Sequence, residues 1–520
     1  MILILASSVN EPAPMPLAPN AKLWIDVEDL FEYRRHNPRP SGIQRVEYEL
    51  CRSLNSLADF PDRVRFLRHD TIRESFYAIP YRAIEDLYSG MTTADGENLG
   101  ASAGGGSDPS REEKATWRYS ARMFMRRSVH RLPVGLRAPL IRFLFYQWVS
   151  FVAFSELLRA GFAGAFRRLT AGGRRAGFGG ATQNKPNESL AVQGAGIGRF
   201  EREAAPGDLL VTLGSPWFHP SFAAVVKAAQ QKYGLRYVLL VYDIIPLRRP
   251  EWCDKKLTAS FGAFIRSVLP LADTLLTISR ASASDLVRYA SEATIALRTP
   301  PVAIPMGTGF TNPPSEPARL ARSAKGGRTL PAPGSYALIV STIEARKNHT
   351  LLFQVWRRLL DDLPAAEVPT LVFAGRIGWL VTDLMQQLKN ANYLNGKIVL
   401  IHNPSDIELL RLYNGCLFTL FPSFYEGWGL PVTESLGFGR PCIVSNATSL
   451  PEAGGALARY FDPTNGPEAY SVIRDTIGDL DGLRLWQEAV ARDFVPITWD
   501  QSARAIYDVL GVRNAVIEPV

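Results

Sequence analysis

At 520 residues the chain is too long for a single ordinary hydrophobic core, and its ordinary apolar content allows at least two core-bearing domains. The four cysteines, Cys51, Cys253, Cys416 and Cys442, are far apart and form no CxxC pair, which argues against a disulfide framework or a zinc site and fits a reducing compartment. The net charge of +8 is concentrated: between Arg111 and Gly177 there are 14 Lys/Arg against 3 Asp/Glu, a surplus larger than that of the whole chain. The remainder is therefore slightly acidic, which argues against a nucleic-acid-binding surface.

In chain order, the opening "MILILASSVNEPAP" lacks a basic flank and meets Pro12 early, so it reads as a short strand or lead rather than an export signal. Apolar, β-branched runs follow at 22–27, 64–70, 208–214, 236–246 and 273–279. A second series lies at 336–342, 369–375, 397–403, 416–423 and 441–446. Continuous apolar strands alternating with helical stretches predict parallel sheets covered on both faces. Two such series predict two doubly wound domains of α/β class, whose ligands lie at the carboxyl ends of the strands. The expected division is 1–310, a Pro/Gly/Ser/Arg-rich linker at 311–334, a second domain at 335–497, and a final helix and tail at 498–520.

The first domain is interrupted at about 90–205. Two compositionally flexible stretches, 90–110 and 171–189, flank a basic, aromatic block. Within it, Phe143–Ser155 is free of charge for 13 residues, short of the ~20 that cross a bilayer. Arg118, Arg122 and Arg126 recur at helical spacing upstream. This pattern predicts a helical insertion lying on an anionic membrane surface through 111–177, with a helix simply packed on the domain as the alternative.

The most informative stretch is "FPSFYEGWGLPVTESLGFGRP" at 421–441. A strand should end here in a turn and enter a helix whose first turn accommodates Pro431. Gly427 and Gly429 allow close approach of backbone, and the amides at the helix tip favour a phosphate. Glu434 in the first helical turn can accept two hydrogen bonds from a ribose diol, and Glu426 can hold sugar hydroxyls. Taken singly, Glu434 reads better as a complement to the helix dipole and Glu426 as a solvated loop residue. The string as a whole asks for more.

That string resembles the Glu-x7-Glu signature of the retaining glycosyltransferases of family 4, the glycosyl transferases group 1, whose fold is GT-B: two Rossmann-like domains facing a cleft. The resemblance implies a catalytic Glu426 and a donor site at Gly427, Trp428, Gly429, Leu430 and Glu434. "STIEARKNHTLLFQVW" (341–356) resembles the family's diphosphate-contacting turn, which carries over to Lys347 with Arg346 beside it. A surface basic pair is the alternative for Arg346. In the first domain, "RPSGIQRVEYELCRSL" (39–54) sets Ser41 as a helix cap with Gln44 three residues on, and the resemblance points to Gly42 beside the donor. "LLVYDIIP" carries Tyr242-Asp243 where relatives often carry His-Asp, so Asp243 is expected as a catalytic residue touching the acceptor. Ser279 is read equally as a helix cap, and Ser449 with Glu452 as a capping box.

The resemblance implies a retaining hexosyltransferase without metal or other cofactor. It moves a sugar, mannose from GDP-mannose being favoured, to a lipid-linked saccharide in bacterial surface polysaccharide (lipopolysaccharide) assembly. Such an enzyme is expected to be cytoplasmic, peripheral on the inner membrane face. The rival readings are a GT-B sugar-nucleotide epimerase, using His219, His349 or His402 as acid/base groups, and a non-catalytic sugar-nucleotide-binding protein.

Overall fold

A computed structural model describes residues 20–37, 39–57, 63–70, 75–92, 198–309 and 328–511. The proposed membrane-facing block at 111–177, the opening segment and most of the linker lie outside the described residues.

The first sheet has seven strands in the order β3-β2-β1-β4-β5-β6-β7. They are β1 (Leu23–Asp26), β2 (Val64–Asp70), β3 (Ser75–Ile79), β4 (Leu209–Thr212), β5 (Arg236–Val241), β6 (Thr274–Thr277) and β7 (Val302–Ala303). All pairings are parallel except β2 with β3. The antiparallel edge strand β3 departs from the expectation of purely parallel sheets. Its sequence, SFYAI, is too short to stand out by periodicity.

The second sheet is wholly parallel, in the order β10-β9-β8-β11-β12-β13. Its strands are β8 (Tyr336–Val340), β9 (Thr370–Gly375), β10 (Ile398–His402), β11 (Thr419–Phe421), β12 (Cys442–Ser445) and β13 (Arg459–Phe461). β11 is shorter than the 416–423 read from sequence, because Cys416 serves as the C-cap of the preceding helix. The central strands are buried almost without interruption, as doubly wound packing requires.

Helices of eight or more described residues are numbered α1 (Glu28–His36), α2 (Gly42–Ser56), α3 (Tyr81–Thr92), α4 (Phe222–Tyr233), α5 (Lys255–Val268), α6 (Arg280–Glu292), α7 (His349–Asp362), α8 (Thr382–Asn390), α9 (Asp406–Gly415), α10 (Leu430–Gly437), α11 (Gly466–Gly478), α12 (Leu480–Asp493) and α13 (Trp499–Val509). α3 runs through Gly90, so the interruption begins after it rather than at Gly90. α13 packs against the first lobe. Trp499, Ile506 and Tyr507 join the core beneath α2, and the Tyr507 hydroxyl donates to Leu54 O at 3.0 Å. Gly307 is required there, because a Cβ would fall 2.4 Å from the Trp499 ring.

In each sheet the strand order reverses next to the N-terminal strand, between β1 and β4 and between β8 and β11. Ligands of such sheets bind outside these switch points. The segments that leave them are 27–29 and 213–215 in one lobe, and 341–347 and 422–430 in the other. Members of both pairs of segments line one cleft of about 1510 Å3.

The lobes meet through side chains as well as through α13. Glu452 accepts from the backbone amides of Arg280 (2.9 Å) and Ala281 (2.8 Å), capping α6 from the other lobe. This overturns the local capping box read at Ser449 and Glu452. Ser449 makes no side-chain cap to its own helix and instead donates to the carbonyls of Glu426 and Trp428. Ser282 Oγ bridges the lobes by donating to Tyr242 O (2.9 Å) and Gly427 O (3.2 Å). Ser279 is the side-chain N-cap of α6, accepting from Ser282 N at 2.9 Å.

Candidate functional site

The strand β11 ends on one side of the switch point, and the chain turns through Pro422–Gly429 into α10. Gly429 is its N-cap at φ +122°, a conformation that a side chain rarely adopts, and Pro431 lies in the first turn as predicted. Gly427 is needed for a different close approach from the one expected. A Cβ there would lie 3.0 Å from Tyr242 O and 3.1 Å from Asp243 Cβ, so the turn presses on the end of β5 in the opposite lobe. Trp428 and Leu430 line the cleft and pack on the first lobe's core. Trp428 Nε1 is buried with no hydrogen-bond partner among the described residues.

From the other side of the switch point, β8 leads into a short 3-10 turn, Ala345–Lys347, and then into α7, whose N-cap Asn348 is left-handed at φ 57°. This geometry turns Arg346 and Lys347 back toward β11. Lys347 Nζ meets Glu426 Oε1 at 2.5 Å, and Arg346 Nη1 meets Glu426 Oε2 at 2.7 Å. Arg346 Nη2 reaches Glu344 Oε1 at 2.7 Å, and Nη1 also donates to Tyr425 O. Both cations are mostly buried, so the surface-pair alternative for Arg346 is excluded.

The result is a near-neutral quartet of two cations and two carboxylates. Burial alone would raise the Glu426 carboxyl, but Arg346 and Lys347 outweigh it and hold it at about 2. The same partners, Glu426 and then Glu344, hold the Arg346 guanidinium well above its usual range against the opposing effect of burial. Beneath them His349 is packed edge-on to Phe373. Burial first, and Lys347 second, lower it to about 3, so it is neutral at physiological pH.

Two acid-sensitive windows follow. The folded value of His349 lies below its unfolded 6.5, so stability is lost as pH falls from 6.5. The folded value of Glu426 lies below its unfolded 4.5, so its contribution is present above that pH and lost between about 4.5 and 2. Its magnitude is on the order of 3 kcal/mol. Denaturant unfolding at pH 5 and pH 3 should show a larger loss in the wild type than in Glu426→Gln, which keeps only the His349 part of it.

The first lobe supplies the opposite wall. Asp243 follows β5, accepts from Ile245 N at 3.0 Å and faces Gly427. Burial chiefly raises its carboxyl, only partly opposed by the Ile245 amide, Arg346 and Lys347. Gly42 begins α2 and faces Leu430 across the cleft. Ser41 precedes it as N-cap, yet its hydroxyl donates to the Gln44 side chain rather than accepting from a backbone amide. Gln44 Nε2 in turn donates to Asp29 Oδ2 at 2.9 Å. Asp29 also lines the cleft, and burial foremost raises it to about 6. Glu47 behind it is fully buried and pushed well up by burial and by Asp29. Gly214 makes room for this carboxyl pair, since a Cβ would fall 2.6 Å from Glu47 Oε2 and 2.8 Å from Asp29 Cβ.

Glu434 is on α10, but as its fifth residue it lies beyond the first turn expected from sequence, and its carboxylate already has two partners. Tyr413 OH donates to Oε2 at 2.9 Å, and Arg45 Nη1, from the first lobe, contacts Oε1 at 2.7 Å. The structure therefore brings Glu426, Arg346, Lys347, Asp243 and the Gly427–Leu430 turn together. Glu434 and Gly42 stand on the same cleft. Sequence reading missed Arg45, Tyr413, Asp29 and Glu47. Arg45 lies one residue after Gln44 in a helix read only for its apolar face. No local pattern distinguishes it from a solvated arginine.

Residues 327–466 match the family described as glycosyl transferases group 1. Among curated proteins, the chain is 30% identical over 235 residues to O-antigen chain mannosyltransferase B of Escherichia coli, covering 44% of this chain and 58% of that one. It is 27% identical over 284 residues to the serotype-specific mannosyltransferase WbdA of Escherichia coli, covering 51% of this chain and 32% of that one. It is 25% identical over 275 residues to an MMP alpha-(1->4)-mannosyltransferase of Mycolicibacterium hassiacum, covering 51% and 62%. The chain thus spans about a third to three-fifths of the length of these relatives. The quartet and the turn around Glu426 fall inside the matched segment. What the chain shares with the glycosyl transferases group 1 is thus a match over residues 327–466, and that stretch carries the site.

Proposed function

We propose that the protein is a retaining glycosyltransferase that moves a hexose from a nucleoside diphosphate sugar to a hydroxyl of a saccharide acceptor. The observation that carries this reading is the buried pairing of Arg346 and Lys347 with Glu426 at the second sheet's switch point, opposite Asp243. In it, Lys347, Arg346 and the amides from Gly427 onward hold the diphosphate. The Glu426 amide itself donates to Thr448 Oγ1 at 2.9 Å and is engaged within the protein. Glu434 holds the ribose, and Glu426 orients the sugar and the two cations. As the glycosidic bond to the diphosphate breaks, negative charge builds on the leaving group. Preorganised cations and the α10 tip stabilise it without solvent reorganisation. Asp243 forms the acceptor-side wall, and Gly42 stands beside the donor. No metal or other cofactor is invoked.

Mannose from GDP-mannose is the favoured donor, supported by the mannosyltransferase names of the similar proteins. Surface polysaccharide assembly on a lipid-linked acceptor, at the cytoplasmic membrane face with 111–177 docked on anionic lipid, is the favoured setting. The O-antigen name of one relative supports the polysaccharide part. No helix among the described residues is long and apolar enough to cross a membrane. The epimerase reading is weakened because His219, His349 and His402 all lie off the cleft lining. The intact quartet weighs against a non-catalytic protein.

A panel of sugar nucleotides offered with saccharide acceptors, read by released nucleoside diphosphate and product mass spectrometry, tests the reading. The expected result is a product one hexose heavier, obtained best with GDP-mannose. An interconverted sugar nucleotide with no transfer product would defeat it.

A further inference from the structure

Arg45 is the fourth residue of α2, in the first lobe, and its guanidinium spans the cleft to α10 in the second. Nη1 contacts Glu434 Oε1 at 2.7 Å, and Nη2 donates to Gly309 O at 2.5 Å, where the first lobe gives way to the linker. The ion pair is buried, with side chains 17% and 7% exposed. A buried pair of this kind adds little net stability, because its desolvation offsets its attraction. What it does supply is geometry. Arg45 holds one oxygen of Glu434 and Tyr413 holds the other, which sets the rotamer and the plane of the carboxylate.

A carboxylate has about four lone-pair positions. Arg45 and Tyr413 use one on each oxygen, so each oxygen retains acceptor capacity for one hydroxyl of a vicinal diol. We infer that Arg45 is a positioning residue for the donor: contributed by the lobe opposite the nucleotide, it orients Glu434 toward the ribose diol and so makes donor affinity depend on the meeting of the two lobes. The inference rests on the reading that Glu434 holds the ribose. It gives the first lobe a part in donor recognition beyond the contact expected of Gly42. It also explains an arginine on the cleft side of a helix whose buried residues include no cation.

Isothermal titration of the full chain with GDP and UDP, each beside its 2′,3′-dideoxy counterpart, separates the outcomes. The wild type should bind the preferred ribonucleotide about tenfold or more tightly than its dideoxy form, since hydrogen bonds to a charged group are at stake. Arg45→Met should lose most of that discrimination. It should bind the ribonucleotide about tenfold more weakly and the dideoxy form nearly as the wild type does, and Arg45→Lys should recover part of the loss. Thermal unfolding of each variant shows that the fold is kept. Equal weakening toward both nucleotides would mean that Arg45 only braces the lobes and would overturn the inference. Tighter ribonucleotide binding by Arg45→Met would make Arg45 a competitor for Glu434 and would overturn it too. A wild type that binds ribo and dideoxy forms alike, or neither base, would instead remove the ribose reading of Glu434 itself.

Discussion

Glu426→Gln is expected to lower kcat/KM for sugar transfer by about 10²- to 10³-fold, the cost typical of losing one preorganised electrostatic contact to a transition state. Glutamine keeps the shape of the side chain but removes the charge that holds both Lys347 Nζ and Arg346 Nη1. With Glu344 as the remaining carboxylate of the quartet, two mostly buried cations would share one anion. Taking away one partner of a buried ion pair costs roughly 3–5 kcal/mol. The variant should therefore be less stable when empty and gain more than the wild type from an added nucleoside diphosphate, which supplies the missing anion. Steady-state release of nucleoside diphosphate measures the first effect, and thermal unfolding with and without nucleotide measures the second. Unchanged kcat/KM would show that the quartet is structural and that the reactive centre lies elsewhere.

The second large effect is expected at Gly375, the last residue of β9. A Cβ there would fall 1.9 Å from Ser341 O and 2.8 Å from Ser341 C, both backbone atoms with no rotamer by which to yield. Gly375→Ala must either part β8 from β9 or displace the segment that begins at Ser341 and carries Arg346 and Lys347. Overpacking of this kind costs about 3 kcal/mol. The displaced turn should also raise KM for the donor, coupling a stability defect to a binding defect. Gly466→Ala is the matched control. Its nearest neighbour, Leu351 Cδ1 at 3.8 Å, is at ordinary contact distance, and the position begins a helix. Urea unfolding should separate the two, and a loss below about 1 kcal/mol at Gly375 would contradict the close packing of the β8 and β9 ends.

The elements that position this site were legible because their signals are local. Buried parallel strands appear as apolar runs such as YALIV and TLVFAG. The turn into α10 announces itself through Gly427, Gly429 and Pro431, residues whose backbone requirements are intrinsic. Candidate chemistry was legible for the same reason: Arg346, Lys347, Glu426 and Glu434 stand in short strings whose spacing has meaning. The partner of each was not. That Glu426 holds two cations from a turn nearly 80 residues away depends on β8 and β11 lying side by side in the sheet. Local periodicity does not state strand order.

The sequence alone thus determined two doubly wound lobes, the glycine- and proline-marked turn, and the acidic and basic residues available to a sugar nucleotide. Packing decided the rest. It set β3 antiparallel at the edge, turned Glu452 from its own helix to cap α6 across the cleft, pressed Gly427 against Tyr242 and Asp243, and carried Arg45 to Glu434. The physical reason is separation along the chain. Backbone propensities act over a few neighbouring residues. A buried charge, by contrast, must find its counter-charge wherever two faces close on each other, and here that place is the meeting of two lobes.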